Sequence, residues 1–313
     1  MNVLSRLFDT THWVNRIVYV LAACTLAAIG LSTIASIIAG NVEVTTSPTT
    51  SIGVIIPSLL WIVVAIIVIR EERRQPLGIT TATGIIPTPQ TPRMLLRGML
   101  LALAMLGTIA CMGLLLGGHF EFTDLNITPL AVAAITVGAI GEEVLFRSTI
   151  LRVLSDRFGS VTAILVTSTV FALAHTGNPG AAGLSSINTF LIALVLATVV
   201  VQSGSIWTAA AFHVVWNLLV ALCFGSLSGF DSGLSAMRLV VDQTSEFARL
   251  TFGDSYGIES GLACTFSIII SFAFLRHISL ADPYVIAARY RSSFSRRHST
   301  ADSSTNMETT HVG

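Results

Sequence analysis

Long runs of apolar residues, separated by short polar segments, dominate the chain. Several approach the ~20 residues that carry a helix across a hydrocarbon layer. They fall at about 17–39, 52–69, 94–117, 129–151, 160–177, 184–201, 206–224 and 258–275. The pattern predicts an all-α protein, a polytopic membrane helical bundle of about eight transmembrane helices. The first run lacks a small-x-small cleavage site, so it reads as a retained helix rather than a signal peptide.

The arginines agree with this count, because positive residues collect in cytoplasmic loops. With a cytoplasmic N-terminus, Arg6, Arg16, Arg70, Arg73, Arg74, Arg93, Arg97, Arg152 and Arg157 fall on the inner side. So do Arg276, Arg289, Arg291, Arg296 and Arg297 of the tail. Only Arg238 and Arg249 fall outside, while Arg147 lies within a span. One helix more or fewer would scramble this sorting, so an integral membrane protein with both termini cytoplasmic is expected.

The connecting segments divide the chain. Residues 1–93 hold two N-terminal transmembrane helices and a cytoplasmic linker, REERRQPLGITTATGIIPTPQTPR. Residues 94–275 hold the remaining spans, and within them 225–257 is the longest external connection, glycine-rich and read as irregular and partly helical. Residues 276–313 form a polar tail whose composition reads as disordered. No internal repeat is visible, which weighs against an inverted-repeat transporter.

Composition adds what pattern leaves open. The chain is 53% hydrophobic and 11% charged, with a mean hydropathy of +0.79, against roughly 25% charged in soluble domains. The formal net charge is zero and no basic patch interrupts the folded part, which argues against a nucleic-acid partner. Cys24, Cys111, Cys223 and Cys264 are scattered through apolar runs and form no Cys-x-x-Cys pair, so neither a zinc ribbon nor a disulfide framework is indicated.

Within the span 129–151 stands GEEVLFR, Gly141–Arg147. A charged residue at the centre of a span costs about 2.5–3.5 kcal/mol, so three of them close together need partners or a function. On a helix Glu143 and Arg147 are spaced i, i+4 and can pair. Glu142 is rotated about 100° from Glu143 and is left without an assigned partner. The bland alternative is a buried structural cluster.

His175 and His213 are the histidines within predicted spans; His12, His119, His277, His298 and His311 sit at span ends or in aqueous segments. Phe171 lies one turn before His175, and Asn217 shares a helix face with His213. By the predicted boundaries, Glu142 and His213 lie near mid-membrane and His175 near the outer end of its span.

These residue types suit amide hydrolysis. A carboxylate kept from bulk water can act as general base towards a bound water. A histidine and an amide can stabilise an oxyanion. Glu142, His175 and His213 are also a complement for a divalent metal such as zinc. A metal-free glutamate mechanism stands beside that reading, and the H-E-x-x-H helix of soluble zinc proteases is absent.

The three motifs together resemble the type II CAAX prenyl endopeptidases and the bacterial abortive-infection and bacteriocin-processing proteins grouped with them as CPBP membrane proteases. Glu142, Glu143 and Arg147 match E-E-x-x-x-R, Phe171 and His175 match F-x-x-x-H, and His213 and Asn217 match H-x-x-x-N. HTGNPG from His175 and SGSIWTAAAFH before His213 also resemble bacterial members, and TFGDSYGIESG is similar to a segment some members carry before their last helix. Ser148 departs from the glycine many members have after the arginine.

The resemblance covers about 94–275. It implies an intramembrane endopeptidase in a bacterial cell membrane, embedded in the lipid bilayer and acting on a peptide or protein substrate at the membrane. Glu142 and His175 would activate water, His213 and Asn217 would stabilise the oxyanion, and Glu143, Arg147 and Phe171 would support the site. The alternatives are a non-catalytic membrane scaffold or immunity protein, or an ion-coupled transporter, since carriers also bury Glu, Arg and His.

Overall fold

A computed structural model describes residues 84–85, 87–231, 233–242 and 244–275, together with 55–56, 58–59 and 62–63. The expected span 17–39 and the tail 276–313 lie outside the described residues, as do most of the span 52–69 and of the linker 70–93. Helices α1 (Thr91–Leu115), α2 (Pro129–Glu143), α3 (Leu151–Phe158), α4 (Ser160–Ala174), α5 (Gly183–Ser203) and α6 (Trp207–Phe224) follow in order. A π-helical segment, Val144–Ile150, joins α2 to α3, and α7 (Glu246–Phe252) and α8 (Leu262–Leu275) follow.

Among the described residues, four stretches are long and apolar enough to cross a membrane: α1, Pro129–Ile150, α5 and α6. Ser160–Ala174 and Leu262–Ala273 are apolar but shorter. The chain is thus a mostly helical integral membrane protein.

The all-α expectation needs one correction. Strand β1 (His119–Asn126) pairs antiparallel with β4 (Ser235–Val240), placing His119 opposite Val240 and Phe122 opposite Met237. A smaller ribbon joins β2 (Ser226–Leu227) to β3 (Phe230–Asp231). In HFEFTDLN the phenylalanines alternate with polar residues, the period of a strand. A search for span-length apolar runs passes over so short a segment. The connection 225–257 is accordingly more ordered than its glycines suggested.

Helix α1 shows how the bundle closes. Met94, Gly98, Ala102, Met105, Ile109 and Gly113 are buried at helical spacing, and the helix packs along α6. Leu96, Met99, Leu100 and Leu103 on its other side are exposed. That side is an apolar surface suited to lipid, whereas the small residues let two helices approach closely. A Cβ at Gly98 would overlap the Thr208 carbonyl oxygen and stand 2.9 Å from the Phe212 nitrogen. Gly98→Ala is therefore expected to displace α6 and lower stability by about 1–3 kcal/mol, read as a drop in thermal midpoint. Gly107→Ala is the control, because nothing lies within 4 Å of a Cβ there; an equal drop would show the close approach to be unimportant.

The turn from α5 to α6 uses Gly204 at φ +72 as its left-handed cap. The end of the linker is fastened to this turn. Ile206 N donates to the Gly84 carbonyl at 3.1 Å, and Trp207 Nε1 donates to the Ile85 carbonyl at 3.1 Å. The start of α6, two turns before His213, is thereby tied to the segment that precedes α1.

Candidate active site

Glu142 and Glu143 end α2, and the chain then widens into the π-helical turn that holds Arg147. Within that turn Thr149 Oγ1 donates to the Val144 carbonyl at 3.0 Å, five residues back. Such segments are rare and often occur at functional sites. Arg147 is 3% exposed and Glu143 fully buried, and Arg147 Nη1 lies 3.0 Å from Glu143 Oε1. This is the pair expected from helical spacing. The guanidinium also stands over the Phe171 ring at 4.5 Å and near Phe146 at 5.8 Å, so aromatic faces supplement its counter-charge.

Glu143 has a second partner that spacing did not reveal. His213 Nδ1 lies 2.9 Å from the same Oε1. A carboxylate oxygen can only accept, so Nδ1 carries the proton. The other ring nitrogen, Nε2, then faces Glu142, 3.8 Å from Oε2. The adjacent glutamates thus address opposite edges of one imidazole: Glu143 orients it and Glu142 stands in front of it. Among the described residues, Glu142 Oε2 is itself covered and without a hydrogen-bond partner.

His175 ends α4, and its Nδ1 lies 2.8 Å from the Phe171 carbonyl. The carbonyl fixes Nδ1 as donor and leaves Nε2 as the acceptor of the neutral ring. The His175 ring lies 4.5 Å from that of Phe171, which is 6.2 Å from His213 and 5.0 Å from Phe146. Phe171 is therefore the shared surface between Arg147 and both histidines. Asn217 is half-buried one turn beyond His213 on α6.

The depth assigned to His175 is altered by the fold. Gly159 separates α3 from α4, and Glu142 and His175 stand almost equally far before and after it along the chain. Two helices that turn back at Gly159 consequently bring these residues to a similar level. In keeping with this, the Phe146 and Phe171 rings, on either side of Gly159, meet at 5.0 Å.

Glu142, His175 and His213 were the set considered for a divalent metal. Among the described residues no three His, Cys, Asp or Glu side chains converge into a group able to hold one. Cys111, Cys223 and Cys264 are free thiols.

A fully buried ion pair, a histidine held by one carboxylate and faced by another, all set among apolar helices, define an integral membrane protein with an intramembrane polar site. Residues 124–219 match the family model described as Rce1-like: Type II CAAX prenyl endopeptidase Rce1-like. That segment carries every motif residue from Glu142 to Asn217, and its match supports the resemblance to this protease family. No curated protein matches the chain.

Proposed function

We propose that the protein is an intramembrane endopeptidase that hydrolyses a peptide bond at the membrane, with water activated by Glu142 and His175. The observation that carries this reading is Glu142 Oε2, covered and without a hydrogen-bond partner among the described residues, 3.8 Å from His213 Nε2. A covered carboxylate oxygen with unspent lone pairs is costly unless something binds there. A water held by it would lose a proton to the carboxylate as its oxygen adds to the substrate carbonyl. The resulting oxyanion would be stabilised by His213 and Asn217, and collapse would break the C–N bond as the proton passes to the leaving amine.

The orientation of His213 adds a condition. With Nδ1 donated to Glu143, Nε2 can donate to an oxyanion only in the imidazolium form; Glu143 supplies the compensating charge throughout, and Glu142 adds to it until it takes the proton from water. Arg147 and Phe171 hold Glu143 in place, which makes them supporting residues. Water activation in this reading uses no metal. The substrate side is a membrane peptide or protein, and both termini of the enzyme are cytoplasmic.

The test is reconstitution of the full chain in vesicles with a farnesylated CAAX-type peptide and, separately, with unprenylated membrane peptides. Fragments of defined length are expected from at least one class, without ion flux, and with turnover that survives chelation. Flux without fragments would replace the reading with a coupled carrier, and binding without fragments with a scaffold or immunity protein. Turnover lost on chelation and restored by zinc would overturn the metal-free chemistry while leaving the peptidase.

A further inference from the structure

A second buried carboxylate lies outside the motifs. Glu259, in the 3₁₀ turn Ile258–Ser260 that precedes α8, is 8% exposed. Its Oε1 accepts a hydrogen bond from Trp216 Nε1 at 2.9 Å. Its Oε2 accepts from the Ser228 backbone N–H at 2.6 Å and from Ser228 Oγ at 3.1 Å. Trp216 lies on α6 between His213 and Asn217, is 2% exposed and stacks on Phe212 at 5.6 Å.

The Ser228 side leads to the other histidine. Ser228 has φ +50, the only left-handed non-glycine among the described residues, a conformation that needs local support. Its carbonyl accepts from Asn178 Nδ2 at 3.1 Å. Asn178 N in turn donates to the His175 carbonyl at 3.2 Å, closing the turn that follows α4. The Glu259 backbone is anchored separately, since Asn188 Nδ2 on α5 donates to its carbonyl at 2.8 Å and to that of Gly261 at 3.0 Å.

We infer that Glu259 is a positioning residue that sets the His175 turn and the His213–Asn217 face of α6 in register with each other. This rests on the peptidase reading above for its functional consequence. The chemistry requires a carboxylate: three donors converge on Glu259, whereas a glutamine would turn its amide N–H groups towards at least one of them. Glu259 acts from the far side of Trp216 and Ser228, so its effect on the reaction passes through the placement of His175 and His213.

Two readouts on the full-length protein test this, one of them independent of activity. In Glu259→Gln, hydrogen exchange is expected to rise about tenfold in both 174–182 and 207–217 and to stay unchanged in α1. In Trp216→Phe, which loses the α6 bond alone, the rise is expected in 207–217 but not in 174–182. Exchange unchanged in either segment of Glu259→Gln, or raised uniformly along the chain, overturns the inference. On a peptide the wild type cleaves, Glu259→Gln is expected to lower kcat about 10- to 100-fold with KM changed less than about threefold, as for misplaced groups. Unchanged kcat in the folded fraction overturns it too. A wild type that cuts nothing sinks the peptidase reading and leaves the exchange test of the tie in force.

Discussion

Glu142→Gln is expected to reduce peptide cleavage by about 10²–10⁴-fold, the usual contribution of a general base, with the thermal midpoint of the protein nearly unchanged. Glutamine has the same shape but cannot take a proton from water. Little stability should be lost, because Glu142 makes no ion pair with Arg147; that role belongs to Glu143, whose Oε1 is 3.0 Å from Arg147 Nη1. Among the described residues Glu142 Oε2 has no hydrogen-bond partner to lose. The measurement is turnover of a cleaved peptide by purified, folded variant. Retained turnover would remove Glu142 from the chemistry and with it the proposed mechanism.

Glu143→Gln should behave differently, although it alters the neighbouring residue in the same way. It leaves the Arg147 guanidinium, 3% exposed, without its counter-charge, and breaking one side of a buried pair costs about 3–5 kcal/mol. It also weakens the bond that fixes His213 Nδ1, so activity should fall in whatever fraction folds. The double variant Glu143→Gln/Arg147→Met removes both charges and is expected to recover much of the stability without recovering turnover. Thermal or denaturant unfolding in detergent, run beside the cleavage assay, separates the two effects. Equal stability of Glu142→Gln and Glu143→Gln would contradict this division of labour.

The contrast between these glutamates shows how much of the site can be read along the chain. Residues four apart on a helix meet through local geometry, so the Glu143–Arg147 pair follows from the order of residues alone. The spans from residue 94 onward are legible for a similar reason, since each helix satisfies its own backbone and its apolar length records the thickness it must cross. The partnership of Glu143 with His213 is not local. It joins α2 to α6 and depends on how closely α6 seats against its neighbours, which Gly98 permits. The β1–β4 pairing is not legible along the chain because a short strand has no span-length signal and its partner lies beyond five helices, α2 to α6.

Sequence alone determined that this is a membrane protein and where its long apolar helices from residue 94 onward run, and its motifs nominated seven polar and aromatic residues by their resemblance to a protease family. Each of those follows from composition, periodicity or a short motif. Only the tertiary structure decided that one imidazole is held between two adjacent glutamates, that Phe171 is the surface shared by Arg147 and both histidines, and that Glu259 reaches Trp216 and Ser228 from outside the motifs. Those contacts join residues on separate elements, and they exist only once packing has brought buried polar atoms within hydrogen-bonding reach in a medium that offers them no water.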